Sequence, residues 1–205
     1  DAQFNQQWAL QNTGQSGGTI DADIDAPEAW DLSTGGVTPL GDTIVVAIVD
    51  GGMLLTHADL IPNLWTNWGE IPGNGIDDDN NGYIDDIHGW NAYSSNGSIP
   101  SDGHGTHVAG IVGAKGNNGN YVSGVNWDVK LMALGGSSGT TSIVLEAYGY
   151  ILDQRAIYDS TGGVSGAFVV ATNSSFGVNN ADCNSATYSL WNDMYNAMGQ
   201  YGILS

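Results

Sequence analysis

The run TIVVAIVD, residues 43–50, is the feature that most constrains how this chain folds. A short, continuous stretch rich in Val and Ile is typical of a strand that is buried on both faces of a parallel sheet. Open α/β sheets of this kind place their chemistry at the carboxyl ends of the strands. Asp50 ends the run and two glycines follow it, so its carboxylate is a candidate functional group. The alternative is an aspartate that only caps a loop before glycine.

Two further runs have the same character, VKLMAL at 129–134 and AFVVATNSS at 167–175, and GILS at 202–205 resembles the start of a fourth strand. Two helical patterns lie after these runs. Their apolar positions are Val144, Ala147, Tyr148, Ile151 and Leu152 in the first, and Trp191, Met194, Tyr195 and Met198 in the second. Strands that alternate with helices predict an α/β fold, with a doubly wound, mostly parallel sheet and flanking helices. We expect this sheet to be incomplete at its C-terminal side.

The segment DGHGTHVAGIVGAK, residues 102–115, predicts a helix over 104–115. Positions 104, 107, 108 and 111 follow the i, i+3, i+4, i+7 spacing, which predicts that this face is turned inward. Glycines at 105, 110 and 113 each cost about 1 kcal/mol relative to alanine in a helix interior, so they indicate close packing against the helix backbone. The simpler interpretation is a buried helix that happens to contain His104 and His107.

The composition excludes some classes of function. The chain has 22 acidic residues against three basic ones, a formal net charge of −19. Because nucleic-acid binding needs Lys and Arg to neutralise phosphates, we expect no nucleic-acid partner. No apolar run approaches the roughly 18 residues of a membrane span, so we expect no membrane partner. The acidic, lysine-poor surface suits a secreted protein that binds cations.

Two segments lie outside the alternating pattern. Residues 1–35 predict an irregular arm followed by a short helix at IDAPEAW, with Pro27 in its first turn and Trp30 as an apolar anchor. Cys183 is the single cysteine of the chain. It is either a buried free thiol or half of a disulfide whose partner lies outside this chain.

Residues 70–90 form a polar insertion with the sequence DDDNNGYIDD at 77–86. Its spacing matches positions 1, 3, 5, 6, 7 and 9 of an EF-hand-type calcium loop, with a backbone carbonyl at the seventh. These positions are Asp77, Asp79, Asn81, Gly82, Tyr83 and Asp85. Position 12 is His88 instead of the usual Glu, and Asp86 is the candidate for the missing oxygen ligand. Because closely spaced carboxylates repel one another without a cation, the loop predicts a Ca²⁺ site; the alternative is a solvated acidic loop.

Three motifs together resemble the subtilisin-like serine proteases: IVVAIVDGG at 44–52, GHGTHVAG at 103–110 and TNSSFG at 172–177. The resemblance implies a subtilisin-like fold, with Asp50 as the catalytic aspartate and His104 as the general base. The catalytic triad of subtilisin is known to run in the order Asp, His, Ser, so the serine is expected later in the chain. The implied function is a secreted, calcium-stabilised serine endopeptidase.

The same resemblance implies further site residues. Two backbone edges would hold a peptide substrate by strand addition, and they comprise Gly135, Gly136 and Gly139 on one side and Ser175, Phe176 and Gly177 on the other. A flexible loop is the alternative for the glycine-rich segment. A second calcium site is implied at Asp59 and Asn118, completed by Gln6 or Gln7. His107 is expected to be inward-facing and structural.

The family segments that carry the oxyanion-hole asparagine and the nucleophilic serine are not found in these residues, and Ser174 and Ser175 lie in the substrate-strand motif. We therefore expect residues 1–205 to be the N-terminal part of a single catalytic domain that is inactive alone. Its expected partners are a peptide or protein substrate and the remaining C-terminal part of the domain. Three alternatives remain: an inactive proteolytic fragment, a nicked enzyme whose remainder is a separate chain, and a non-catalytic calcium-binding module that binds peptides or another partner.

Overall fold

The computed structural model describes residues 1–182 and 184–205, so both alternatives for Cys183 lie outside the described residues. These described residues form four strands and four α-helices. The strands are β1 (Val45–Asp50), β2 (Gly89–Asn91), β3 (Lys130–Gly135) and β4 (Val169–Ser174). The helices are α1 (Ala26–Trp30), α2 (Gly103–Gly113), α3 (Thr141–Thr161) and α4 (Ser189–Gln200). Short 3₁₀ helices occupy Phe4–Gln6, Ile61–Asn63 and Ala186–Tyr188.

The four strands form one parallel sheet in the order β2-β3-β1-β4. The central strand β1 pairs with β3 from Val45 opposite Lys130 to Asp50 opposite Gly135. On its other side, β1 pairs with β4, with Val49 opposite Ser174. This arrangement confirms the predicted parallel α/β sheet, in which the carboxyl ends of β1, β3 and β4 share one edge.

Helices cover both faces of the sheet. The side chains of β1 alternate between the two faces, so each face contributes to a separate core. Val45, Ala47 and Val49 face a core that includes buried residues of α3 and α4. Ile48 faces the opposite core, which contains Val108 and Ala109 of α2. The sheet is therefore doubly wound, as predicted, and the apolar faces predicted for α3 and α4 pack against the first core.

Helix α2 begins and ends close to the predicted bounds, but the prediction of its inward face is wrong. The buried positions are Gly105, Val108, Ala109 and Gly113, whereas His107 and Ile111 are exposed. The helix approaches the end of β1 through glycine, so closely that a Cβ at residue 105 would overlap the carbonyl oxygen of Gly52. This contact rotates the helix so that its small residues, and not the two histidines, face the sheet.

The N-terminal arm and the last residues are both joined to the central part of the fold. Pro27 lies in the first turn of α1, as predicted, and the ring of Trp30 lies 4.5 Å from that of Trp127. Leu204 makes one parallel bridge to Ala171, so the predicted beginning of a further strand is a single bridge beside β4. Within the described ranges, no helix combines the length and apolarity that crossing a bilayer requires.

Candidate active site and acidic loop

Asp50 and His104 meet at the carboxyl edge of the sheet. Asp50 ends β1 and is 4% exposed. Nδ1 of His104 lies 2.8 Å from one carboxylate oxygen of Asp50 and 3.0 Å from the other. The backbone N–H of Gly51 also donates to this carboxylate, at 2.7 Å. The residue predicted to be the acidic partner is therefore paired with the residue predicted to be the base.

The two residues of the pair differ in exposure, and the buried carboxylate of Asp50 changes the pKa of the exposed His104. The pKa of His104 is raised above its ordinary value, first by the hydrogen bond to Asp50 and then by the negative charge of the same carboxylate. Because Asp50 accepts a hydrogen bond from Nδ1, neutral His104 carries its proton there and keeps a lone pair on Nε2. The histidine side chain is 60% exposed, whereas the side chain of Asp50 is 5% exposed. A buried carboxylate thus orients an accessible imidazole.

The start of α2 fixes the position of His104. Asp102 is the N-cap, and its carboxylate accepts a hydrogen bond from Gly105 N at 2.7 Å. The hydroxyl of Thr106 accepts a hydrogen bond from Leu54 N at 2.8 Å, which joins the first turn to the loop after β1. His104 is thus held between a capped helix end and the loop that follows Asp50.

The acidic loop brings together three carboxylates, one of which the sequence pattern missed. Glu70, Asp77 and Asp79 each offer an oxygen within 4.8 Å of the others. Glu70 is 6% exposed and accepts hydrogen bonds from the backbone N–H groups of Asp78, Asp79 and Asp85. It precedes the repeating acidic motif by several residues, so no spacing rule could have identified it. These three oxygens could hold a hard cation.

Asp85 and Asp86, which the sequence also predicts as ligands, lie outside this group of three. The carboxylate of Asp85 accepts hydrogen bonds from Asn74 N and Gly75 N. Asp86 is fully buried and accepts hydrogen bonds from four side chains, those of Asn67, Asn81, Tyr150 and Gln154. Burial raises the pKa of Asp86 to about 6. Asp86 therefore links the acidic loop to α3.

The remaining predicted ligands of the loop have other contacts as well. Asn81 donates its side-chain amide to Asp79 and Asp86, and its amide oxygen accepts a hydrogen bond from Tyr83 N at 2.7 Å. Tyr83 packs its ring edge-on against Tyr150 and donates its hydroxyl to Asp153. The side chain of Asn81 thus contacts the carboxylate cluster, whereas the side chain of Tyr83 is directed to α3.

Asp59 and Asn118, the two residues predicted for a second calcium site, contact each other. The buried carboxylate of Asp59 accepts hydrogen bonds from the side chain of Asn118 at 3.1 Å and from Val122 N at 3.0 Å. Of the two glutamines expected to complete the site, Gln7 hydrogen-bonds with Ser123 and Gln6 is exposed. The carboxylate of Asp1 instead accepts a hydrogen bond from Asn118 N at 2.9 Å.

Comparison with known proteins decides the family. The profile of the subtilase family, Peptidase_S8, matches residues 41–200. The chain belongs to the subtilase family. It is 33% identical over 176 residues to an extracellular protease of Xanthomonas campestris pv. campestris, covering 81% of this chain and 27% of that protein. It is 45% identical over 93 residues to subtilisin-like protease 1 of Plasmodium berghei, covering 44% of this chain and 16% of that protein.

A solved structure agrees at the level of the fold. A protease structure from Pseudoalteromonas arctica matches all of this chain and 57% of its own, with a TM-score of 0.61 and 24% identity. The subtilase chain described here therefore spans well under half of the two sequence relatives and somewhat more than half of this structural relative.

The two predicted substrate edges of this subtilase flank Asp50. Gly135 ends β3, and Gly136 N and Ser137 N both donate to the backbone carbonyl of Asp50, at 2.8 and 3.1 Å. On the other side, Ser175 and Gly177 follow β4 and are exposed, and the ring of Phe176 lies 6.5 Å from that of Trp191. Both segments thus leave the same edge of the sheet as the Asp50–His104 pair.

Ser174 and Ser175, the two serines of the TNSSFG motif in this subtilase, form hydrogen bonds with residues other than His104. The hydroxyl of Ser174 lies 2.7 Å from that of Tyr148, and the hydroxyl of Ser175 donates to Asn173 at 2.9 Å. In the part of the chain that the structure describes, no serine hydroxyl is hydrogen-bonded to His104.

Proposed function

We propose that residues 1–205 are the N-terminal part of the catalytic domain of a secreted, calcium-stabilised serine endopeptidase. The single observation that carries this proposal is the Asp50–His104 pair, with Nδ1 of the histidine 2.8 Å from the carboxylate. The pair lies between two backbone edges in a chain of the subtilase family. The nucleophilic serine is proposed to come from residues beyond this chain, in the same domain.

In the proposed reaction, His104 is the general base and then the general acid. A serine hydroxyl becomes an effective nucleophile when a neighbouring base takes its proton during attack on the peptide carbonyl. Nε2 of His104 would take that proton, because Nδ1–H is donated to Asp50. The same nitrogen would then deliver the proton to the leaving amine. Asp50 would hold the tautomer and stabilise the imidazolium form.

The peptide is proposed to bind by strand addition between the segments 135–139 and 175–177. Backbone hydrogen bonds to an exposed sheet edge give affinity without requiring a particular sequence, and side-chain pockets then set preference. Both segments follow strands adjacent to β1, so a peptide between them would cross the carboxyl end of β1 beside His104. This placement supports a peptide or protein as the substrate class.

Calcium is proposed to stabilise the acidic loop. Three carboxylate oxygens within 4.8 Å fit a hard divalent cation, since oxygen ligands are those that Ca²⁺ prefers. Glu70, Asp77 and Asp79 would hold the ion, and its charge would remove the repulsion between them. Asp59 and Asn118, with Asp1 nearby, are proposed as a second site.

Secretion is supported by two observations. The chain carries a formal charge of −19 with three basic residues. One relative that matches most of the chain is described as an extracellular protease.

The proposed activity is tested with the intact protein that contains this chain. We expect it to hydrolyse a protein substrate and to react with a serine-directed fluorophosphonate, whereas the isolated fragment 1–205 should do neither. His104→Ala should lower kcat by about 10⁶-fold, the loss known from removing the triad histidine of a subtilisin.

His107→Ala is the matched control, because His107 is exposed one turn along the same helix. It should retain activity. An intact protein that shows neither hydrolysis nor labelling would overturn the proposed function and favour a non-catalytic calcium-binding module.

A further inference from the structure

The turn after β2 contacts the glycine-rich edge that follows β3. Asn91 ends β2, and Ala92 N donates to the carbonyl of Gly135 at 2.8 Å. Tyr93 comes next, and its backbone N–H donates to the side chain of Asn91 at 3.1 Å. The side chain of Asn91, which is 6% exposed, also donates to the carbonyl of Ser98 at 2.9 Å. The backbone around Tyr93 is therefore fixed relative to β3.

The hydroxyl of Tyr93 reaches the centre of this edge. It accepts a hydrogen bond from Ser137 N at 3.0 Å. The hydroxyls of Ser137 and Ser138 lie 3.3 and 3.2 Å from the same oxygen. Among the hydrogen bonds of the described residues, Tyr93 is the only side chain outside the edge that bonds to Ser137 or Ser138.

The two halves of the edge are held differently. Gly135 belongs to β3, and Gly136 is packed so closely that an added Cβ would lie 2.8 Å from Cβ of Ala147. Packing therefore holds the first half. Ser137 is partly exposed and Ser138 is exposed, so packing constrains them less. Hydrogen bonds to Tyr93 and to the backbone of Asp50 constrain this second half.

We propose that Tyr93 is a positioning residue that sets the register of the substrate edge at Ser137 and Ser138. This inference rests on the proposed function, because it concerns how that site binds a peptide. The Ser137 amide is directed to Asp50 and Tyr93 and is thus withdrawn from the substrate. The adjacent backbone groups are held in one register for pairing with residues that precede the scissile bond.

The test compares a long and a short substrate in the intact protein. The long one is a blocked tetrapeptide p-nitroanilide, and the short one is an N-acetyl ester of the same residue that precedes the scissile bond. Tyr93→Phe removes the hydroxyl and keeps the ring. We expect kcat/KM for the tetrapeptide to fall about 3- to 10-fold, mainly through KM, as for loss of one hydrogen bond that orders a binding surface. For the ester, the change should be less than about twofold.

Tyr158→Phe is the matched control, since the hydroxyl of Tyr158 bonds to Asp42 near the amino end of β1, away from the site. It should leave both substrates unaffected. Equal losses for the ester and the tetrapeptide, or no loss for either, would overturn the positioning role.

A second measurement separates this proposal from the proposed function. If the unaltered protein hydrolyses neither substrate, the proposed function fails, and binding of the tetrapeptide is then compared by calorimetry. Weaker binding by Tyr93→Phe than by Tyr158→Phe supports the positioning role. Equal affinities, or no binding by the unaltered protein, overturn it.

Discussion

The Asp50–His104 pair and the acidic loop both depend on buried carboxylates, but they are held in different ways. Asp50 has a partner that can become a cation, and the two residues lie at a strand end and a helix start. The carboxylates of Glu70, Asp77 and Asp79 face one another, and among the described residues no Lys or Arg forms an ion pair with them. The carboxylate of the first site has a partner within the chain, whereas those of the second site face one another, which is why a cation is proposed there.

This difference suggests where each site is vulnerable. The pair depends on one short contact between α2 and β1, so a change there should affect activity first. The loop depends on charges from separate parts of the insertion, so a change there should affect cation binding and stability first. Three predictions examine the contrast.

Of these three predictions, Asp50→Asn carries the largest expected effect. Loss of the triad aspartate is known to lower kcat by about 10⁴-fold, because the histidine is no longer held in the reactive tautomer. The raised pKa of His104 comes mainly from its hydrogen bond to Asp50. Since neutral His104 is the base, activity is lost as pH falls through this pKa. In Asp50→Asn the pKa should fall toward its ordinary value, and the acid limb of kcat should move to lower pH.

The control for this prediction is Asp102→Asn, which removes a second charge near His104 but keeps an oxygen to cap α2. It should shift the acid limb only slightly and retain most of the activity. An acid limb that stays in place in Asp50→Asn would contradict the assignment of the pKa shift.

An intermediate effect is expected for Gly105→Ala. The added methyl group would overlap the carbonyl oxygen of Gly52, and such overpacking costs about 1–3 kcal/mol of the free energy of unfolding. In the same helix, a Cβ at residue 110 meets nothing within 4 Å. Gly110→Ala should therefore stabilise the protein by about 0.5–1 kcal/mol, as expected from helix propensity. Urea unfolding measures the free energy of unfolding of the two variants, each in a His104→Ala background that prevents self-cleavage. Similar changes in Gly105→Ala and Gly110→Ala would argue against the close contact at Gly105.

The smallest effect is expected for Glu70→Gln, which should weaken Ca²⁺ binding by about tenfold, measured by calorimetric titration of the protein after EDTA treatment. Asp78→Asn is the matched control: it removes the same charge from the same loop, but its carboxylate contacts Ile71 N and Asn74 and lies outside the cluster. EDTA should also lower the Tm of the unaltered protein by mass action on the folded state. An unchanged Tm, or equal weakening by both variants, would contradict the cation site.

The contrast between the two regions also shows what could be predicted. The places of Asp50 and His104 at the end of β1 and the start of α2 follow from local patterns, an apolar run and a capped, glycine-rich helix. The sequence identifies the acidic loop as a whole, but it does not point to Glu70, and Asp85, which it predicts as a ligand, lies outside the group of three carboxylates. Its spacing resembles an EF-hand, but its oxygens are directed by contacts that are not periodic in sequence.

The sequence alone determined the alternating α/β architecture, the parallel strands β1, β3 and β4, and the family, because burial on both faces and the motifs around Asp50 and His104 are recorded in neighbouring residues. The three-residue strand β2 and the order of the strands are not among its predictions. Tertiary structure decided the rest. The close approach of Gly105 to Gly52 turned His107 outward, against the amphipathic pattern. Likewise, Asp86 bonds to α3, and Tyr93 bonds to the edge after β3. These partners are distant in sequence and meet only when the sheet and helices pack, so sequence spacing does not reveal the contacts.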